Sequence, residues 1–310
     1  MNPSLNKTQE FPVQAVFAPT DLKPVVLVHL DTDRLPSVFD RVVAADAGVE
    51  HLFSYGGVTP ADVPPLVHGC IFTRGPKDLL RTAIFVGGSD VAAGEAVVAA
   101  VRKAMIPAAG LTVSVMLDPN GANTTAAAAV RAAGRHVNLN ATDALVLGGT
   151  GPVGQRVARL LAKHGGHVRI GSRQLDRAEA VAAGIRAQVP GAKVEAVAVG
   201  TAADGPKALA GRELVIAAGA PGAVLLPRRV RQTADSLRVL IDLNGVPPAG
   251  IEGVELTDKA VNHDGVICYG ALGVGGLKMK VHKAALRHLF TRHDLMLDVE
   301  EIYALALREG

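Results

Sequence analysis

The sequence predicts an α/β protein built from two parallel-sheet domains, and two observations carry that prediction. From Pro24 to Gly134, apolar runs of strand length alternate with helical stretches, the pattern of a parallel sheet covered by helices. Between Ala141 and Arg173 a second such unit begins, with an apolar run, a glycine turn, an amphipathic stretch and another apolar run in succession.

In the first unit, Pro24 to Leu30 predicts a strand that stops at Asp31, Thr32 and Asp33. Acidic residues at the carboxyl end of a strand lie where open α/β sheets place their ligands. Pro36 to Ala45 predicts a helix and Leu52 to Tyr55 a weaker strand, followed by a short helix from about Thr59 that Pro64 and Pro65 interrupt. Thr82 to Val86 is a strong strand ending in Gly87 and Gly88; Asp90 to Met105 carries alanine and valine at helical spacing. Leu111 to Leu117 predicts the fourth strand, and Asp118 to Thr125 leads into an alanine-rich helix ending near Gly134. Residues 1–23 read as an extension, lying on the surface or partly disordered.

The second unit opens with Ala144 to Leu147, apolar throughout as a strand buried on both faces requires. Gly149, Gly151 and Gly154 then form G-x-G-x-x-G, with Thr150, Pro152 and Val153 completing the loop. The first glycine permits a tight turn, the second a close backbone approach to a pyrophosphate, and the third close helix–strand packing. Val153, Val157, Leu160 and Leu161 fall at helical spacing, so the helix lies on the sheet while its amino end faces phosphate. This is a Rossmann-type dinucleotide site. The next strand, His167 to Ile170, runs into Ser172 and Arg173, where an NAD site would place a carboxylate for the ribose. A hydroxyl followed by a guanidinium suits a 2′-phosphate, so the expected cofactor is NADP. Asp176 reads as a cap of the following helix. Further strands are expected at Val194 to Val199, Glu213 to Ala217 and Val239 to Leu243. The exit from the last of these, with Asn244, is expected to line the nucleotide cleft. Tyr269 opens a helix to about Phe290, and this helix and another near Val299 to Leu307 return to the first domain. The domains are thus 24–137 plus 269–310, and 138–268.

Composition excludes several classes. A formal net charge of +3 over 310 residues, with scattered basic residues, gives no nucleic-acid groove. No apolar run reaches bilayer length and the N-terminus has no secretory pattern. Two cysteines, Cys70 and Cys268, make no disulfide framework and suit a reducing cytoplasm. Zinc spacing, a hydrolase carboxylate pair, a nucleophile elbow and a Walker loop are all missing, so no metal is expected and hydride transfer leads.

The segments DTDRLPSVFD, GGVTPADV, IFTRG, TAIFVGG, DVAAGE, DPNGANTTAAA, GGTGPVGQR and YGALGVGGLKMKVH resemble the methylene-tetrahydromethanopterin dehydrogenases of methylotrophic bacteria, especially their NADP-dependent branch that also accepts methylene-tetrahydrofolate. The resemblance runs from about Pro24 to the C-terminus. It implies oxidation of the methylene pterin to the methenyl form in formaldehyde oxidation, and a homo-oligomer, a trimer being the expected state. By the same resemblance Asp40 and Lys278 are active-site positions. Asp31 and Asp33 are nearby alternatives to Asp40, which is otherwise a helix-surface acid. Asn120, Asn123 and Thr124 either bind the pterin or cap a helix. Lys280 and His282 share the segment of Lys278; one lysine is expected in solvent, and His282 is either a satisfied helix histidine or a substrate contact. A shikimate-type dehydrogenase and a non-catalytic NADP-binding regulator are the rival readings.

Overall fold

A computed structural model describes residues 22–201 and 203–309. The expectation for the N-terminal extension therefore falls almost entirely outside the described residues. In chain order the first half comprises β1 (Val26–Asp31), α1 (Val38–Asp46), β2 (His51–Tyr55), α2 (Val63–Phe72), β3 (Thr82–Gly87), α3 (Val91–Ala104), β4 (Ser114–Leu117) and α4 (Ala122–Ala133). The second half comprises β5 (Asp143–Leu147), α5 (Pro152–Lys163), β6 (His167–Ser172), α6 (Leu175–Gln188), β7 (Lys193–Ala198), α7 (Asp204–Leu209), β8 (Leu214–Ala217), α8 (Arg228–Arg231), β9 (Val239–Asp242), β10 (Lys259–His263), β11 (Val266–Tyr269), α9 (Ala271–His288), β12 (Met296–Leu297) and α10 (Val299–Ala306).

Two sheets result, in the orders β12-β4-β3-β1-β2 and β10-β11-β9-β8-β5-β6-β7. Every pairing is parallel except β10 with β11. The apolar runs of β1, β3 and β4 are buried at every position, as central strands covered on both faces must be. No helix among the described residues is long and apolar enough to cross a membrane.

The two sheets share one core. Ala126 to Ala129, Ala132 and Ala133 of α4 are buried in a cluster that includes Phe85 and Met116 of the first sheet and Val146 and Val157 of the second unit. Alanine side chains let α4 approach α5, α9 and α10 closely. The C-terminal helices thus return to the first sheet, and β12 adds an edge strand to it through Leu295 O, which accepts from Val115 N at 2.8 Å.

Several details differ from the sequence reading. Pro64 and Pro65 do not interrupt α2: they occupy its first turn, where backbone amides have no intrahelical acceptor. The fourth strand begins at Ser114, because Ile106 and Leu111 bridge across a short 3-10 turn. Of three strands outside the expected set, β11 is a short apolar run, VICY, whereas β10 and β12 carry no sequence signal. β10 is largely exposed and mixed in polarity, and β12 has two residues, so neither shows the alternation or length that marks a strand.

Candidate active site

The nucleotide side is built at the carboxyl end of β5. Gly148, at φ +66°, makes the left-handed turn. The motif assigns the tight turn to Gly149, but in the structure Gly149 is a contact residue, since a Cβ there would lie 2.7 Å from Ile170 Cγ2 of β6. On Gly154 a Cβ would lie 2.5 Å from Gly148 O, so only glycine lets α5 start against the turn. Gly151 differs: its nearest neighbour would be Gly148 O at 3.4 Å, an ordinary contact that leaves its outer side open. Thr150 lies between them, and Pro152 and Val153 open α5 in a first turn whose amides are free to meet an anion.

Ser172 ends β6 and its Oγ accepts from Gln174 N at 3.1 Å. Arg173 follows, exposed. Side chains alternate across a strand, and Arg169 points toward α7, donating to Ala208 O at 3.2 Å and Ala210 O at 2.9 Å. On that same face lies a cavity of about 260 Å³ lined by Val199, Gly200, Thr201, Leu225, Pro227 and Arg229. Gly200 adjoins Arg173, a Cβ there falling 3.6 Å from Arg173 O. An apolar slot beside a guanidinium suits an adenosine with its 2′-substituent outermost. Asn244 uses its amide within the exit loop from β9, donating to Pro248 O and accepting from Val246 N, each at 3.0 Å. With Asp242, Val246 and Ala271 it lines a second cavity of about 200 Å³ at the start of α9.

The substrate side is assembled at the carboxyl ends of β1, β3 and β4. Asp31 is buried, and its carboxylate accepts from Asp33 N and Ser37 N, both at 2.8 Å. Asp33 accepts from Ser89 N at 3.0 Å and Ser89 Oγ at 2.8 Å. Both acids tie loops together, which leaves Asp40 as the carboxylate of the three that is not spent on backbone. Asp40 lies in the first turn of α1, where Ser37 Oγ caps its amide at 3.2 Å. Its Oδ2 sits over Gly87, 3.5 Å from where a Cβ would be. Burial raises the Asp40 carboxyl above its usual range, opposed by the Ser37 hydrogen bond and the nearby Lys278 charge.

Lys278 reaches this point from α9. Its Nζ is 4.3 Å from the centroid of the Phe39 ring, a cation–π contact. It also packs on Gly121, at φ +60°, where a Cβ would meet Nζ at 3.2 Å. Lys280 is the exposed one of the pair, which the helical period expects of one of the two lysines. Opposite Lys278 lies Asp118, fully buried at the end of β4. Burial pushes it up to about 6, against the pull of Lys278 and of hydrogen bonds from Thr124. Asp118 was not singled out from the sequence, although an acid ending a strand ahead of a helix was the signal available.

Asn123 and Thr124 are both buried, with Asn123 Nδ2 donating to Asp298 Oδ1 at 3.0 Å and Thr124 Oγ1 to Asp118 Oδ2 at 2.6 Å. Of the two roles the sequence leaves open for them, these bonds match the turn and cap: Asn123 and Thr124 hold Asp118 and the start of α4. Asn120, exposed in a left-handed turn at φ +55°, stays accessible. His282 is not the satisfied helix histidine that one reading expects. It is fully buried with neither ring nitrogen hydrogen-bonded, and it stacks on Phe85 at 5.7 Å between centroids. Burial and Lys278 push it down to about 3, while burial lowers His29 to about 4 against the attraction of Asp31.

This burial sets a pH dependence. The unfolded chain binds protons at these histidines near their ordinary 6.5, whereas the folded rings stay neutral to about 4 and about 3. Their contribution to stability is complete above 6.5 and is lost as pH falls through that window. Asp118 acts oppositely between its ordinary 3.8 and about 6, where the folded state keeps a proton the unfolded state has released. Replacing His282 by Phe is expected to flatten the fall in urea midpoint between pH 6.5 and 4. Parallel curves for the two proteins would refute the assignment.

A parallel-sheet unit joined to a Rossmann-type unit, with C-terminal helices returning to the first sheet, is the architecture of two-domain NAD(P)-dependent dehydrogenases. The fold matches a shikimate 5-dehydrogenase of Listeria monocytogenes with a TM-score of 0.54 at 14% identity, covering 93% of this chain and 99% of that one. At that identity the likeness concerns fold alone. Residues 38–120 match the model of the methylene-tetrahydromethanopterin dehydrogenase N-terminal family. The chain is 46% identical to the bifunctional protein MdtA of Methylorubrum extorquens, over 91% of this chain and 97% of that one. It is 32% identical to an NAD(P)-dependent methylenetetrahydromethanopterin dehydrogenase of the same organism, over 87% and 94%. The chain belongs to the methylene-tetrahydromethanopterin dehydrogenase family, and is an oxidoreductase of that family.

Proposed function

We propose that this protein oxidises N5,N10-methylene-tetrahydromethanopterin to the methenyl form with NADP+, methylene-tetrahydrofolate serving as a second substrate. The pterin lies on residues 24–137 and 269–310 and the dinucleotide on residues 138–268. The observation that carries the reading is the Asp40 carboxylate beside Lys278 at the carboxyl ends of β1, β3 and β4. Loss of hydride from a carbon held between two nitrogens leaves a delocalised amidinium cation and requires no proton transfer. The protein therefore needs to align two rings and to favour developing positive charge. Asp40 meets the second need, with Lys278 and Phe39 holding the pterin and Asn120 at the rim. The bound dinucleotide supplies the hydride acceptor. The glycine loop and first turn of α5 bind its pyrophosphate, and Ser172 and Arg173 its 2′-phosphate.

Purified protein is expected to reduce NADP+ when given methylene-tetrahydromethanopterin, followed as NADPH absorbance, and to do so more slowly with NAD+. Silence with both methylene pterins, despite NADPH binding, would sink this reading and favour a regulator.

A further inference from the structure

Arg156 lies on α5 four residues after Pro152 and is 8% exposed. Its guanidinium is divided among three elements. Nε donates to Asn123 Oδ1, Nη1 to Pro152 O at 3.2 Å and Nη2 to Glu95 Oε1 at 2.9 Å. One side chain thus joins the first turn behind the glycine loop to α4 and α3 of the other unit. Asn123 passes the connection on. Its Nδ2 donates to Leu117 O at 2.5 Å, and its backbone N to Asp118 Oδ1 at 2.9 Å. Asp118 is the buried carboxylate whose charge Lys278 feels. The Arg156 side chain and residue Asn123, through its side chain on one end and its backbone amide on the other, therefore span the distance from the glycine loop to the acid beside Lys278.

Burying a guanidinium is costly unless its N–H groups are used, and here each nitrogen is. The planar fork holds three acceptors in fixed relative positions, which a lysine cannot do. Glu95 is itself largely exposed, so its ion pair with Arg156 is screened like those of Arg159 with Asp298 and Lys163 with Glu300; what sets Arg156 apart is a guanidinium that is itself buried and bonded to Asn123 and Pro152. The α4–α5 contact is largely alanine on the α4 side, a surface with few knobs to fix register.

We infer that Arg156 is a positioning residue for hydride transfer, setting the dinucleotide loop against the Asp40, Lys278 and Asp118 group. This rests on the dehydrogenase reading above. Arg156→Met is expected to lower kcat by on the order of 10- to 100-fold, the cost of an ångström of misplacement, with the Kd for NADPH changed by less than about threefold. The deuterium isotope effect on kcat, measured with substrate labelled at the methylene carbon, should rise as hydride transfer becomes limiting. A second readout needs no turnover: NADPH added to the wild type should slow amide exchange over residues 118–126 as well as the glycine loop, and in the variant over the loop alone. Arg156→Lys, which keeps the charge toward Glu95 without the fork, should share the defect and serves if the Met variant does not fold. A folded variant with wild-type kcat, isotope effect and exchange pattern would overturn the inference. Long-range protection in a wild type that oxidises no methylene pterin would leave Arg156 as the coupling residue and remove only the reaction assigned to the cleft.

Discussion

Asp40→Asn is expected to lower kcat by roughly 10²- to 10³-fold, the usual effect of removing one preorganised electrostatic group from a transition state. The substitution is nearly isosteric, and the backbone hydrogen bond from Asp40 N to Ser37 Oγ is unaffected, so α1 keeps its cap. On the proposed mechanism, what is lost is the negative charge facing the carbon that becomes cationic. Because substrate and product bind the same surface, KM should change far less than kcat. The carboxylate is half-buried and its protonation is eased by that burial, so removing the charge should not cost stability. Activity in the wild type should fall as pH drops through the raised titration of this group, since only the anion stabilises the cation, and the fall should vanish in Asp40→Asn. Steady-state rates from pH 5 to 9 for both proteins check this. A variant within about threefold of wild type in kcat would show that charge at this position is not what the reaction uses.

Arg173→Ala should separate the two dinucleotides. A charge-assisted contact to phosphate contributes about 1.5–3 kcal/mol, so KM and Kd for NADP+ should rise by roughly 10- to 150-fold. NAD+ has no 2′-phosphate and should bind nearly as before. The reason to expect a clean separation is geometric: Arg173 is exposed beyond β6, beside the cavity at Gly200 and Arg229, and not part of the packing. Equal losses for both cofactors would place Arg173 against the adenine or the shared ribose instead. The readout can be repeated with 2′-phospho-AMP and AMP, which removes the nicotinamide and the chemistry from the comparison.

Much of the architecture is present in the sequence because its signals are local. Uninterrupted runs such as Thr82 to Gly87 mark strands buried on both faces, and the glycine spacing from Gly149 to Gly154 marks a turn between strand and helix, although the close contacts of Gly148 with Gly219 and of Gly149 with Ile170 come from residues distant in the chain. Helical period likewise puts one of Lys278 and Lys280 in solvent, and the family resemblance, not the period, points to Lys278 as the pocket residue. What the sequence could not supply were relations between residues far apart along the chain. Among the acids in DTDRLPSVFD, only the fold shows that Asp31 and Asp33 are committed to loop amides and hydroxyls while Asp40 turns toward Lys278. Asn123 and His282 read as polar residues available for ligands, yet tertiary packing buries both. Asp118 and Arg156 gained their roles only when β4, α5 and α9 met, because hydrogen bonding and desolvation depend on what surrounds a group in space. Sequence by itself determined the central strands of both sheets, the glycine turn between β5 and α5, and the family. The tertiary structure decided which polar side chains face the cleft and which hold it in shape, since that choice is made by burial and geometry and not by residue type.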